Sequence, residues 1–284
     1  MLRTRVLTAL VMLPVVLGML FFAGAPSWAA FALAVALAAS WEWSRLCGFS
    51  RWGARAYLVA CGAIGGAFFT AYQRMPPEAF ATVSQAALVA SAYFWIFGVP
   101  VWLAMKLRPP RWALGAAGWF VVWPMWAAMI ELRAVSPWLL LALAVLVWVA
   151  DIAAYFAGRR FGRVKLAPAI SPGKTWEGVA GALVGVLAYG IALDVFAHSQ
   201  PNPTAPYFDG PWGGLALLAM VGLTLVSIYG DLFESWMKRG AGRKDSSNLL
   251  PGHGGILDRI DSLTSSLPIA ALLVALHRQS AAGQ

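Results

Sequence analysis

The chain has 284 residues, of which 60% are hydrophobic and only 12% charged, with a mean hydropathy of +0.70 and a formal net charge of +9. So few polar side chains cannot cover a soluble globule of this size, and the composition is that of an integral membrane protein. The excess of basic residues does not point to nucleic acid, because those residues are divided among short segments and no soluble domain collects them.

Apolar runs fall at about 6–22, 27–43, 57–72, 81–105, 113–130, 137–157, 178–197, 212–230 and 263–277, each near the length of a helical bilayer span, with the last one short. The expected fold is an all-α polytopic membrane protein of about nine transmembrane helices, forming a single integral membrane domain over 1–284. The first run follows Arg3 and Arg5 in the manner of a signal peptide, but no small-residue cleavage site leads into a polar domain, so it reads as a retained span. A cytoplasmic N-terminus puts Arg3, Arg5, Arg45, Arg51, Arg55, Lys106, Arg108 and Arg111 inside. The later inside segments add Arg159, Arg160, Arg163, Lys165, Lys174, Lys238, Arg239, Arg243, Lys244 and Arg259. Only Arg74, Arg133 and Arg278 fall outside, a bias that fixes the orientation by the positive-inside rule and leaves the C-terminus outside. Trp28, Trp41, Trp43, Trp112, Trp138 and Trp212 sit near run ends, where interfacial aromatics belong. Cys47 and Cys61 form no CxxC and offer no metal spacing, which leaves them as packing residues.

Residues 1–133 read as hydrophobic hairpins with almost no candidate chemistry. Residues 134–284 hold two long cytoplasmic loops, 158–178 and 231–262, with most of the remaining polar side chains. The outside loop His198–Pro211 is rich in proline and lacks convergent charge, so it reads as a connector. Asp151 lies inside an apolar run, where a carboxylate is costly unless it faces a cavity or a partner; Arg159 or Arg160 could pair with it, or it could line a headgroup site. The stretch SPGKTWEG, 171–178, ends like a phosphate-binding loop, but Pro168 stands where that motif needs glycine and no strand precedes it. A Pro-Gly turn remains, then a helix start with Thr175 near its N-cap and Lys174 placed to meet anionic headgroups.

The densest polar cluster is GDLFESWMKRGAGRKDSSNLLPGHGGILDRID, ending at Asp261. Asp231 closes an apolar span, at the membrane surface or just within it. Asp258 and Asp261 are spaced i, i+3 and share a face if a helix begins near Gly255. Between them and Asp231 lie four basic residues and the turn Gly252-His253-Gly254-Gly255, whose backbone N–H groups could form an anion-binding nest. Carboxylates for a hard cation, with cations and backbone donors for phosphates, equip a site for metal-assisted phosphoryl or nucleotidyl transfer. With three histidines in the chain zinc is disfavoured, and carboxylate oxygens point to Mg²⁺ or Mn²⁺. A serine hydrolase built on Ser247 or Ser262 with His253 lacks a nucleophile elbow.

The pattern Ser235-Trp-Met-Lys-Arg239, four residues, Lys244-Asp245, then Leu250-Pro-Gly-His-Gly-Gly-Ile-Leu-Asp-Arg-Ile-Asp261 resembles the signature of the phosphatidate cytidylyltransferases, or CDP-diacylglycerol synthases. Asp151–Gly178 is similar to bacterial members as well, whereas the first half is alike only as generic spans. The resemblance implies conversion of CTP and phosphatidic acid to CDP-diacylglycerol and pyrophosphate, with Mg²⁺, in the bacterial cytoplasmic (inner) membrane. By motif position it implies Asp231 and Asp258 as metal ligands and Asp261 as a further ligand or an orienter of Arg259. It places Lys238, Arg239, Lys244 and Arg259 near the triphosphate or lipid phosphate, His253 and Gly254 against nucleotide phosphates, and Ser171 and Lys174 at the substrate. It also implies a homodimer. Two other readings compete. A CDP-alcohol phosphotransferase needs a DG-led run of spaced aspartates that GDLFES lacks, and an ion-coupled transporter would use Asp151, Asp194 and Glu42 as buried coupling carboxylates.

Overall fold

The computed structural model describes residues 2–199 and 212–282. The connector expected at His198–Pro211 therefore lies almost wholly outside the described residues. Helices α1 (Leu2–Phe22), α2 (Ala25–Leu46) and α3 (Arg51–Arg74) are followed by α4 (Pro77–Tyr93), which runs through a π-turn at Phe94–Gly98 into α5 (Val99–Ala104). Then come α6 (Arg111–Val135), α7 (Pro137–Phe161), the strands β1 (Lys165–Ala167) and β2 (Ser171–Thr175), α8 (Trp176–Ser199), α9 (Trp212–Gly240) and α10 (Leu257–Ala282). The fold is all-α apart from that hairpin.

Among the described residues, eight helical segments are long and apolar enough to cross a membrane, with α4 and α5 counted as one. The ninth expected span, α2, has 22 residues and also runs from one end of the bundle, where the Trp28 indole N–H donates to Met129 O (3.1 Å), to the other, where that of Trp43 donates to Leu114 O, but it is less apolar than the other eight. Its last turns hold Trp41, Glu42, Trp43, Ser44 and Arg45, and its Ala29, Ala32, Ala36 and Ala39 are fully buried. Protein, not lipid, surrounds this helix, so it can carry polar groups that a lipid-facing helix could not. The centre of the bundle is α6, where Val122, Met125, Trp126, Ala127 and Ala128 have no exposure, packed against α2, α4, α7 and α10.

Alternation of the helices gathers one set of loops at each end. At one end the Thr8 hydroxyl donates to Pro251 O (2.9 Å) and the Trp43 indole N–H to Leu114 O (2.8 Å). At the other, Arg133 Nε donates to Leu20 O (2.8 Å) and its Nη2 to Ala23 O, capping the C-terminus of α1. The π-turn precedes Pro100, whose missing N–H and ring disturb the preceding helical turn. It turns Phe94 and Trp95 edge-on to Phe233 of α9, at 5.6 and 5.7 Å between ring centroids, and Trp102 adds a third edge contact at 5.3 Å.

Two small-residue seams position the polar half. A Cβ on Gly185 would meet Ala153 Cβ at 2.7 Å, and one on Gly178 would meet Ala154 O at 3.1 Å, so α7 and α8 touch almost backbone to backbone. Between α9 and α10, a Cβ on Gly230 would lie 2.6 Å from Asp261 O and 3.2 Å from Ser262 Cα. That close approach sets Asp231, the next residue, beside the first turns of α10.

Three local expectations change. The segment 231–240, read as loop, continues α9, because Glu234 and Lys238 pair at i, i+4 and carry the helix through its polar end. The loop shrinks accordingly, and α10 starts at Leu257 with Asp258 and Asp261 in its first turns. Ser171–Thr175 is not a Pro-Gly turn but the second strand of an antiparallel hairpin, with Lys165 opposite Thr175 and Ala167 opposite Ser171. The reading of Thr175 as an N-cap holds: its hydroxyl accepts from Gly178 N at 3.1 Å. Cys47 and Cys61 are buried and unbonded to each other, and burial pushes the Cys47 thiol up to about 12.

Candidate active site

A cavity of about 430 Å³, large enough for a small ligand, opens between α7, the hairpin, α8 and α9. Asp151, Tyr155 and Arg159 line it from α7, Ser171, Gly173, Lys174 and Thr175 from β2, and Asp231 from α9. Asp231 is recessed by roughly 14 Å of helix from the end of α9, and Asp151 by about 15 Å from the end of α7, at 1.5 Å per residue. The hairpin folds back into this recess, so that Lys174 Nζ lies 2.6 Å from Asp231 Oδ2. Asp231 Oδ1 accepts a long bond from the Ser235 hydroxyl, at 3.3 Å. Arg159 donates to the Tyr155 hydroxyl (3.1 Å) on the exposed side of α7. Asp261 and Asp151 are each within electrostatic reach of Asp231, and Arg259 within reach of Asp151.

Beside this cavity, the turn leading into α10 is tied down by carboxylates. Asp258 Oδ2 accepts from Ser246 N (2.9 Å), the Ser246 hydroxyl (2.8 Å) and Gly255 N (2.7 Å), and its Oδ1 accepts from Lys238 Nζ at 2.7 Å. Lys238 also pairs with Glu234, so one ammonium links two buried carboxylates. Gly254 adopts φ +82, a conformation open to glycine, and its carbonyl receives the N–H of Leu250 (2.8 Å). The N–H groups of Ile256 and Leu257 donate to Glu42 at 3.0 and 2.6 Å. Of the four expected nest donors, Gly255 N is taken by Asp258 and His253 N by Leu250 O, while the next two N–H groups, at the positive end of α10, are taken by Glu42. The N–H groups of His253, Gly255, Ile256 and Leu257 are therefore engaged within the protein.

The remaining expected residues divide. Ser171, Lys174 and Asp231 share the cavity; Lys238, Asp258 and Asp261 form the adjoining wall. His253 is half-buried, its backbone N–H bonded to Leu250 O and its Nδ1 buried without a partner among the described residues. Arg259 is exposed at the start of α10. Arg239, in the last turn of α9, and Lys244, on the loop beyond it, are exposed, and Arg239 donates to Arg243 O at 3.3 Å. Among the described residues, no three His, Cys, Asp or Glu side chains converge with metal-binding geometry.

The profile of the cytidylyltransferase family matches residues 3–277. The chain belongs to that family. A phosphatidate cytidylyltransferase of Pseudomonas aeruginosa is 39% identical over 280 residues, covering 96% of this chain and 97% of the relative. One from Brucella suis is 34% identical over 286 residues, covering 98% and 95%. One from Haemophilus influenzae is 50% identical over 130 residues, covering 46% and 43%.

In this member of the cytidylyltransferase family, sequence reasoning left three participants off the site. Asp151, read either as a partner of Arg159 or Arg160 or as lining a headgroup site but not counted among the site residues, lines the cavity opposite Asp231. Glu234, spaced four residues before Lys238, is 3% exposed and shares that ammonium. Glu42 comes from the half of the chain judged empty of chemistry. It bonds to groups 204 to 215 residues away, which local spacing could not reveal.

Proposed function

We propose that the chain transfers the cytidylyl group of CTP to phosphatidate, giving CDP-diacylglycerol and pyrophosphate, from a cleft that opens to the cytoplasm of the bacterial inner membrane. The observation that carries this reading is the cavity at which Asp151 and Asp231 meet Lys174, within helices of membrane-spanning length. The near-full-length similarity to phosphatidate cytidylyltransferases supports it. The lipid phosphate oxygen attacks the α-phosphorus of CTP as the bond to the pyrophosphate oxygen breaks, so the protein's task is to hold two anionic reactants in line. The inside orientation rests on the charge bias, because the loops at this end hold most of the basic residues.

Asp231 and Asp258 are the proposed ligands of Mg²⁺. Asp231 Oδ1, with only a long serine bond, is the oxygen open to a hard cation, whereas Asp258 would reach one only by giving up Lys238 at Oδ1, since its Oδ2 already accepts three bonds. Bound there, Mg²⁺ supplies neutralisation of the triphosphate. Lys174, on a short hairpin, can turn from Asp231 to a phosphate oxygen. Tyr155 and Arg159, on the exposed face of α7, are placed to meet a lipid phosphate entering from the bilayer side. His253, in the turn before α10, is proposed to meet the nucleotide. The active species is proposed to be a homodimer, which light scattering of the detergent-solubilised protein checks.

Purified protein given labelled CTP, phosphatidate in mixed micelles and Mg²⁺ is expected to release pyrophosphate and to move the cytidine label into the lipid phase, only when all three are present. Pyrophosphate release without lipid, or release of CMP from CDP-diacylglycerol on addition of an alcohol, would refute the assignment.

A further inference from the structure

Glu42 has no solvent exposure, yet it has neither lysine nor arginine among its hydrogen-bond partners. A buried carboxylate left without a cation is expensive unless every acceptor position is used. Here they are used. Oε1 accepts from the Ser247 hydroxyl and Ile256 N (3.0 Å), and Oε2 accepts from the Ser246 hydroxyl (3.1 Å) and Leu257 N (2.6 Å). The two N–H groups can only donate and each meets a different oxygen, so the site demands two acceptors on one side chain, and its place at the N-terminus of α10 favours a carboxylate.

The Ser246 hydroxyl also lies 2.8 Å from Asp258 Oδ2. Its single proton is shared between the two oxygens, closer to Asp258, so one serine joins the carboxylate brought by α2 to the aspartate of the proposed metal site. Gly255 leaves no room between them, since a Cβ there would run into Ser246 Oγ and Glu42 Oε1.

We infer that Glu42 is a positioning residue for cytidylyl transfer: a carboxylate from the N-terminal half that caps α10 and, through Ser246, fixes the direction in which Asp258 presents its oxygens. The inference rests on the proposed reaction. It assigns to α2 a task in the site, and it accounts for a polar helix held inside the bundle.

The test compares wild type with Glu42→Gln, which keeps the shape but turns an NH₂ toward backbone donors, and with Glu42→Asp and Ser247→Ala. Glu42→Gln should lower kcat by about tenfold or more, the loss expected for a hydrogen bond to a charged group. The Mg²⁺ concentration for half-maximal rate should rise several-fold while KM for phosphatidate stays put. Glu42→Asp should recover part of the rate. Amide hydrogen exchange, read without turnover, should quicken at 255–258 and stay unchanged in α6. Wild-type kcat and wild-type exchange at 255–258 in Glu42→Gln would overturn the inference. If Glu42→Gln fails to fold, Ser247→Ala decides: faster exchange at 255–258 with a reduced kcat supports the role, and wild-type values for both overturn it. A wild type with no lipid-dependent turnover would instead count against the reaction, and the exchange result would still stand as a statement about the cap.

Discussion

Replacing Lys238 with methionine isolates what one ammonium does for the wall of the site. Its Nζ lies 2.7 Å from Asp258 Oδ1 and is bonded to Glu234, and the three side chains are 12%, 5% and 3% exposed. Methionine keeps the length of the stem but leaves two buried carboxylates facing each other without a cation. Breaking a buried pair in this way costs about 3–5 kcal/mol, because the charge left behind has lost its solvation and its partner. At roughly 2 °C per kcal/mol for a chain of this size, the melting temperature should fall by about 6–10 °C. The assay is thermal unfolding in detergent, followed by tryptophan fluorescence. The double variant Glu234→Gln with Lys238→Met should regain at least half of the loss, since it removes one orphaned charge along with the ammonium. A Lys238→Met protein that melts within about 2 °C of wild type would refute the reasoning, for a shift that small corresponds to no more than a surface ion pair.

Two further substitutions probe the cavity and the turn. Asp231→Asn should reduce turnover at saturating substrates by at least about a hundredfold, a loss of roughly 3 kcal/mol of transition-state stabilisation, with little change in melting temperature; near-wild-type turnover would sink the ligand assignment. Gly255→Ala forces a methyl group into Ser246 Oγ and Glu42 Oε1 and should abolish activity, whereas Gly62→Ala, with open space around it, should leave turnover as it was.

Much of this molecule is legible from residue order. The apolar runs locate every long helix, because length and hydropathy are properties of contiguous segments. The spacing of Asp258 and Asp261 correctly puts both in the first turns of one helix. What failed were features decided by a partner. GDLFESWMKRG looks like a loop on polarity alone, and only the Glu234–Lys238 pair within it signals that α9 continues. SPGKT becomes a strand because KLA lies across from it, a pairing too short to read from three residues. The glycine-rich turn advertises its donors, yet nothing nearby in sequence tells that Glu42 takes the two N–H groups that follow it. Composition finds α2 as a span but not its place, since its alanines resemble lipid-facing residues until α6 is seen beside them.

The cap on α10 has a consequence for biogenesis. During synthesis α2 is made early, and Glu42 must wait for partners that emerge more than two hundred residues later. The turn carrying Asp258 is therefore among the last parts of the bundle able to set, and it can do so only around an N-terminal half already in place. A ribosome-released fragment that stops short of α10 can insert its spans but cannot assemble the centre. Grafting the polar half onto leading helices that lack a counterpart of Glu42 would leave the start of α10 without its cap.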